Sequence, residues 1–431
     1  MLTRLDLRGR DLTADSGVLA ATLAPPVEES GPVDAVREII ADVRTRGDAA
    51  LRDLTARFDG CEIDDLRISP AACEAALAGS SAPLREALEF ARDQIEAYHR
   101  AQLAPPSPDH TRSGISVREL VRPVGRVGAY VPGGRAIYPS TVLMTVIPAR
   151  VAGVAEVALC VPPDAAGNPP PATLAAAALA GVDEVYRVGG AQAIAAMAYG
   201  TESIRPVDVI VGPGNIYVAL AKREVAGVVG IESLAGPSEL VVIADDDTPV
   251  DWAAIDLIAQ AEHGPGGKAV LVTWSEAAAD AIAARVAELT AESPRRDEVE
   301  STMRAGGSVV IVDDAEAAMA VANWIAPEHL QLMSAGASDL VDAVRSAGAV
   351  FVGPWAPAPV GDYVAGVNHV LPTARTARFS SALRVDTFLK HIHVVSLDGD
   401  GLAGVEPHIS ALADVEGLDA HGRAVRMRKP E

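Results

Sequence analysis

Arg126-Val127-Gly128-Ala129-Tyr130-Val131, Glu156-Val157-Ala158-Leu159-Cys160-Val161, Glu184-Val185-Tyr186-Arg187-Val188 and Val207-Asp208-Val209-Ile210-Val211 are short apolar runs rich in β-branched residues. Helical stretches at 140–151, 172–180, 191–198 and 216–225 separate and follow them. Strand alternating with helix predicts a parallel sheet with crossover helices. Gly189-Gly190 and Gly212-Pro213-Gly214-Asn215 stand at strand-to-helix turns. Such sheets bind ligands there, and N–H groups at a helix start suit a phosphate. Gly-rich turns of this kind are common, and no G-x-G-x-x-G fingerprint accompanies them, so neither turn is specific by itself.

The rhythm restarts at Glu239. Residues 240–244, 269–273, 308–312 and 349–352 read as strands, and 252–262, 276–289, 315–325 and 338–347 as helices. Two successive α/β units of similar size result, with no matching sequence repeat. Upstream, residues 1–120 read as mostly helical. Apolar positions Val33, Val36, Ile39, Ile40 and Val43 follow helical spacing until Gly47-Asp48 breaks it. A second helix over 83–103 ends at Ala104-Pro105-Pro106, which opens a Pro-rich joint. The expected division is therefore 1–120, a helical region; 121–236, a first α/β unit; 237–375, a second; and 376–431, a tail too thin for its own core. The fold class is α/β, with two incomplete Rossmann-like parallel-sheet units.

The chain carries 58 Asp and Glu against 36 Lys and Arg, a net charge of −22, which argues against nucleic acid and anionic membrane as partners. No apolar run approaches the length of a membrane span. The first fifteen residues carry Arg4, Asp6, Arg8, Arg10 and Asp11 and lack a signal-peptide core, so the expected location is cytoplasmic. Three cysteines, Cys61, Cys73 and Cys160, have no metal spacing. Cys160 lies inside an apolar strand, which buries it and argues against a thiol nucleophile.

Polar groups that could serve one divalent metal are scattered through the second half. Gln260 and His263, in Ala259-Gln260-Ala261-Glu262-His263-Gly264-Pro265, share a face near a helix end. Read alone, the same spacing equally fits a histidine interacting with the helix dipole. Asp362 and His369 lie in a Gly-rich segment, 361–373, after the last strand of the second unit; an Asp capping a turn is the plain alternative. His421 closes Glu416-Gly417-Leu418-Asp419-Ala420-His421, where a solvated histidine is the ordinary outcome. Glu328-His329, after Pro327, sets a carboxylate beside an imidazole, a pair suited to acid–base work. Adjacent residues on a strand face opposite ways, so the pair needs an irregular strand start.

From about Val121 to the C-terminus, these segments in this order resemble the histidinol dehydrogenases. The resemblance implies an NAD-dependent, zinc-dependent enzyme that oxidises L-histidinol to L-histidine in two steps through L-histidinaldehyde. It makes Gln260, His263, Asp362 and His421 the zinc ligands and Glu328 and His329 the acid–base pair. It puts Ser238, His369 and Glu416 against the substrate beside those groups, and Tyr130, Gln192 and Asn215 against NAD. It also implies a homodimer whose sites are shared between subunits. The N/O donor set does not by itself select zinc over manganese or cobalt. Two other readings remain at this point. A metal-dependent hydrolase, with Glu328 activating water, leaves the nucleotide turns without a purpose. A non-catalytic ligand-binding relative leaves the metal and Glu-His motifs without one.

Overall fold

The computed structural model describes residues 2–12, 17–23, 31–105, 107–133, 136–182, 184–234, 236–264 and 266–428. Pro106 and Pro265 of the motifs above lie outside that set. The strands are β1 (Thr3–Asp6), β2 (Arg67–Ile68), β3 (His110–Arg112), β4 (Ile115–Pro123), β5 (Arg126–Tyr130), β6 (Glu156–Cys160), β7 (Glu184–Tyr186), β8 (Val209–Val211), β9 (Gly230–Ile231), β10 (Glu239–Ala244), β11 (Lys268–Thr273), β12 (Gly307–Ile311), β13 (His329–Leu332), β14 (Ala349–Val352) and β15 (Leu389–Ser396).

They form two six-stranded sheets, in the orders β2-β7-β6-β5-β8-β9 and β1-β12-β11-β10-β13-β14, and a smaller sheet, β15-β4-β3. In each large sheet the first strand of the unit sits centrally. The next two strands lie to one side of it and the last two to the other, which creates a switch point beside the first strand. The outer edge beyond the third strand is filled in both by a strand from the N-terminal region. β1 pairs with β12 in parallel, and β2 pairs with β7 antiparallel.

Side-chain alternation explains why both sheets are covered on both faces. Val127, Ala129, Val157 and Leu159 face one cluster, while Tyr130, Ala158 and Cys160 face the other. The N-terminal helices complete both: Val33–Arg46 and Asp48–Asp59 pack on the second face, Pro70–Ala78 and Ala82–Ala101 on the first. Gly47, at φ 56°, breaks the first pair where the sequence predicts. In the second unit Leu240, Val242 and Ala244 face helices Val250–Ala261, Glu276–Glu292 and Arg296–Gly306. Val241 and Ile243 face helix Ala315–Ile325.

One expectation needs correction. The helix expected over 338–347 is a 3-10 segment, Ala337–Ala343, because Asn323 Oδ1 takes the N–H groups of Arg345 (2.6 Å) and Ser346 (3.2 Å) and draws the chain out of the helix. The irregularity before His329 is carried by Ala326, left-handed at φ 50°, rather than by Pro327. Gly422 lies inside helix Asp419–Arg426. Helix Arg296–Gly306 is an addition; only Val299, Thr302 and Met303 of it are buried. The tail supplies β15, which pairs with β4 across the expected 120/121 boundary, then helices Gly399–Glu416 and Asp419–Arg426. Val415 is 89% exposed and Met427 79%. Among the described residues no helix is long and apolar enough to cross a membrane.

Candidate active site

Helix Val250–Ala261 follows β10 and returns along the sheet, so its C-terminal end reaches the amino ends of the strands. There Gln260 and His263 join Leu240 and His329, paired residues at the starts of β10 and β13. Helix Ala358–Tyr363 closes the other wall with Ala358, Pro359 and Asp362. Gly361 makes that approach possible, since a Cβ there would lie 2.7 Å from the Phe351 ring. The recess is open to solvent, and the empty space in it, solvent included, is ≈ 280 Å³.

His329 is 2% exposed. Its Nε2 lies 3.7 Å from Asp362 Oδ1 and its Nδ1 3.8 Å from Glu328 Oε2. Burial works against a charge on this ring, but the Glu328 carboxylate, Asp362 and the Glu239 carbonyl outweigh it and hold its pKa above the ordinary value. Burial also works to raise Asp362, yet His329, with His369 and His263, holds that carboxyl below its ordinary range. Gln260 is 4% exposed and its Nε2 has no hydrogen-bond partner among the described residues. His263 Nδ1 lies 3.2 Å from Ser238 Oγ. One turn before Gln260, Asp256 also lines the recess and accepts from Gln331 Nε2 at 2.7 Å. Burial pushes the Asp256 carboxyl up.

His369 ties this wall to the first unit. Its Nδ1 is 2.9 Å from the Asp362 carbonyl, so that nitrogen carries the proton, and its Nε2 accepts from Thr141 Oγ1 at 3.1 Å. Burial pushes the His369 pKa down, which suits the neutral ring that this pairing requires. Both ring nitrogens are thus engaged within the chain. Asn368 Nδ2 donates to the Met144 carbonyl at 2.6 Å, a second link to the same helix, Pro139–Val151.

That helix starts at the carboxyl end of β5, beside the nucleotide turns. The Tyr130 hydroxyl accepts from Gly190 N–H at 3.1 Å, and Gln192 lies beneath the same glycine. Asn215 caps helix Ile216–Val225, its Oδ1 accepting from Tyr217 (3.0 Å) and Val218 (3.2 Å) N–H. Gly212, at φ 118°, lies so close to the Tyr130 carbonyl that a Cβ would be 2.0 Å away. A buried ion pair braces it: Gly212 N–H donates to Glu232 Oε1 at 2.7 Å, Lys222 Nζ donates to the Gly212 carbonyl at 3.2 Å, and the two charges are 2.7 Å apart. The carboxyl edge of the first sheet therefore meets the amino edge of the second.

The chain brings Gln260, His263, His329 and Asp362 together in the lining of the recess, with Ser238, Glu328 and His369 in polar contact with them from behind. Glu416 and His421 are exposed on the tail helices and do not line it. Among the described residues no three His, Cys, Asp or Glu side chains gather to hold a metal. An amide oxygen, an imidazole and a carboxylate around a recess are a donor set that fits a borderline divalent ion taking further ligands from elsewhere. The sequence reading missed Thr141, Asp256, Glu239 and the Lys222–Glu232 pair. A lysine inside an apolar helix was a signal for Lys222; nothing local marks Thr141.

Residues 25–429 match the sequence model of the histidinol dehydrogenase family. A histidinol dehydrogenase of Rhizobium meliloti (strain 1021) is 48% identical over 95% of this chain and 95% of its own. One of Thermobifida fusca (strain YX) is 46% identical over 100% of this chain and 98% of its own. A crystal structure of histidinol dehydrogenase from Elizabethkingia anophelis superposes with a TM-score of 0.92 at 34% identity, covering 99% of this chain and 98% of that one. Motif order, site geometry and near-complete coverage agree: the chain belongs to the histidinol dehydrogenase family.

Proposed function

We propose how the residues at this junction divide the work of oxidising L-histidinol to L-histidine, the reaction of the family to which the chain belongs. The observation that carries the reading is the convergence of His329 and Asp362 on the recess that Gln260 and His263 also line, with the Glu328 carboxylate 3.8 Å from His329 Nδ1. Family membership sets aside the hydrolase and the non-catalytic readings.

Gln260, His263 and Asp362 would hold zinc, which when bound supplies Lewis-acid polarisation and an anchor for the substrate's nitrogens. Tyr130, Gln192 and Asn215 would hold NAD, which when bound supplies the hydride acceptor for each oxidation. His329 takes the hydroxyl proton as hydride leaves carbon, first from the alcohol and then from the aldehyde hydrate. Its ring is pinned between two carboxylates, which stabilise the imidazolium that results. Glu328 takes a proton from the water that adds to the aldehyde carbon. Cys160 plays no part, because complete burial pushes its thiol up to about 12.

His421 and Glu416 would reach the recess from a second copy of the chain. The thinly packed tail and its exposed apolar residues support a homodimer with shared sites. NADH formation with L-histidinol before and after exhaustive chelation tests the metal. Mixing inactive His421→Ala subunits with inactive His263→Ala subunits tests the sharing. Hybrid dimers should regain one intact site, and no recovery despite proven exchange would place the site within one chain.

A further inference from the structure

Oxidation of an alcohol to a carboxylate by two NAD releases three protons, and the bases that collect them here are buried. His329 is 2% exposed and Glu328 9%. An exit for protons is therefore a requirement of the chemistry, and the structure holds a buried acid behind the pair. Glu239, the first residue of β10, is 3% exposed and its Oε2 has no hydrogen-bond partner among the described residues. Its main-chain N–H donates to Glu328 Oε2 at 3.4 Å. Alternation sends Leu240 into the recess and Glu239 to the opposite face of the sheet.

On that face the groups around Glu239 are Lys268, its register partner on β11; Glu328, from the loop before β13; and Arg375, from the loop after Thr373. The Ala374 N–H also points at the carboxyl. Ala374 and Arg375 are consecutive left-handed residues, at φ 49° and 65°, a conformation that non-glycine residues adopt only when packing holds them. Arg375 is held by stacking 3.9 Å over the Trp324 ring. The backbone is strained at the point where it faces the acid.

We propose that Glu239 accepts from Glu328 the proton released when water adds to the aldehyde and passes it out past Lys268 and Arg375. The proposal rests on Glu328 being the base of that step. The water O–H breaks as its oxygen bonds to the aldehyde carbon, the C=O π pair moves onto the carbonyl oxygen to leave a hydrate monoanion, and the proton forms an O–H on Glu328. That O–H then breaks as one forms on Glu239, which restores the Glu328 carboxylate for the next turnover. Glu239 acts through Glu328 and touches neither substrate nor cofactor. Burial pushes its carboxyl up to about 7, with the Lys268 cation opposing and the Glu328 charge adding, so it can take and release a proton near neutrality.

The test supplies histidinal and NAD to the holoenzyme across a pH series. Glu239→Gln keeps the shape and an acceptor for Ala374 N–H but cannot carry the proton. It should lower kcat roughly ten- to a hundredfold, erase the limb of the pH profile near neutrality, and leave KM for histidinal nearly unchanged; Glu239→Asp should restore much of the rate. Lys268→Met keeps the carboxyl and removes the cation beside it, so it should move that limb to higher pH. An unchanged kcat and profile in Glu239→Gln, or a limb that stays in place in Lys268→Met, overturns the relay. Glu328→Gln is run alongside. If it too is unaffected, the assignment of Glu328 has failed, whereas an impaired Glu328→Gln beside a normal Glu239→Gln sinks the relay alone.

Discussion

The two α/β units share one strand order and turn opposite edges toward their junction. In the first, the amino ends of β5, β6 and β7 begin with Arg126, Glu156 and Glu184, and these charges neutralise one another. Arg126 reaches Glu156 at 2.9 Å and Glu184 at 2.5 Å, Arg205 reaches them at 2.7 and 3.1 Å, and the Tyr186 hydroxyl donates to Glu184 at 2.8 Å. Burial works to raise Glu184, but these donors hold it at about 2. In the second unit the matching strands, β10 and β11, begin with Glu239 and Lys268. There the carboxylate keeps an unpaired oxygen beside Glu328 and is pushed up to about 7. One edge is closed by paired charges, with Arg126 Nε left without a partner, and faces away from the junction. The other edge leaves polar groups unsatisfied where chemistry is to occur.

The largest effect expected from breaking this contrast is at the metal wall. His263→Ala should lose bound zinc by elemental analysis and lower turnover on the order of 10⁴-fold, with an unchanged circular dichroism spectrum. Next comes Glu328→Gln, which should slow aldehyde-to-acid conversion by about 10²–10⁴-fold and alcohol-to-aldehyde conversion less. His329→Asn should slow both. Equal losses on both substrates for Glu328→Gln would point to positioning as its role.

On the first unit's working edge, Lys222→Met leaves Glu232 buried without its cation, which typically costs about 3–5 kcal/mol of stability. It also releases the Gly212 carbonyl, so we expect the Kd for NAD to rise about tenfold while KM for histidinol holds. Calorimetric titration with NAD checks this, and unchanged affinity would make the pair purely structural.

The smallest effect is one of stability. Between its ordinary value of 4.5 and about 7, Glu239 keeps a proton in the folded chain that the unfolded chain has lost, so stability falls as pH rises through that window. At about 1.4 kcal/mol per unit the window is worth up to roughly 3 kcal/mol. Glu239→Gln should remove that slope in urea unfolding between pH 5 and 8.

Strand and helix order was legible because alternation and helical spacing are local properties. Helix Ala315–Ile325 falls where its apolar spacing puts it. The site was legible as motifs and not as geometry. Nothing in the neighbourhood of Gln260 shows that its helix returns to the amino edge of the sheet. The contact between Thr141 and His369 spans 228 positions and exists only once both units are built. Nothing local marks Glu239 at the start of its strand as a residue that folding buries with one carboxylate oxygen left unpartnered. The 3-10 segment at Ala337–Ala343 escaped for the same reason, since Asn323 acts on it from another element.

The central claim is that the junction of the two edges carries a substrate through both oxidations. The measurement that tests it most directly counts NADH formed per L-histidinol consumed by the zinc-loaded protein, with the organic product identified by mass spectrometry. The account predicts two NADH per histidinol, histidine as the product and no released aldehyde. One NADH per histidinol with free histidinal accumulating would contradict it.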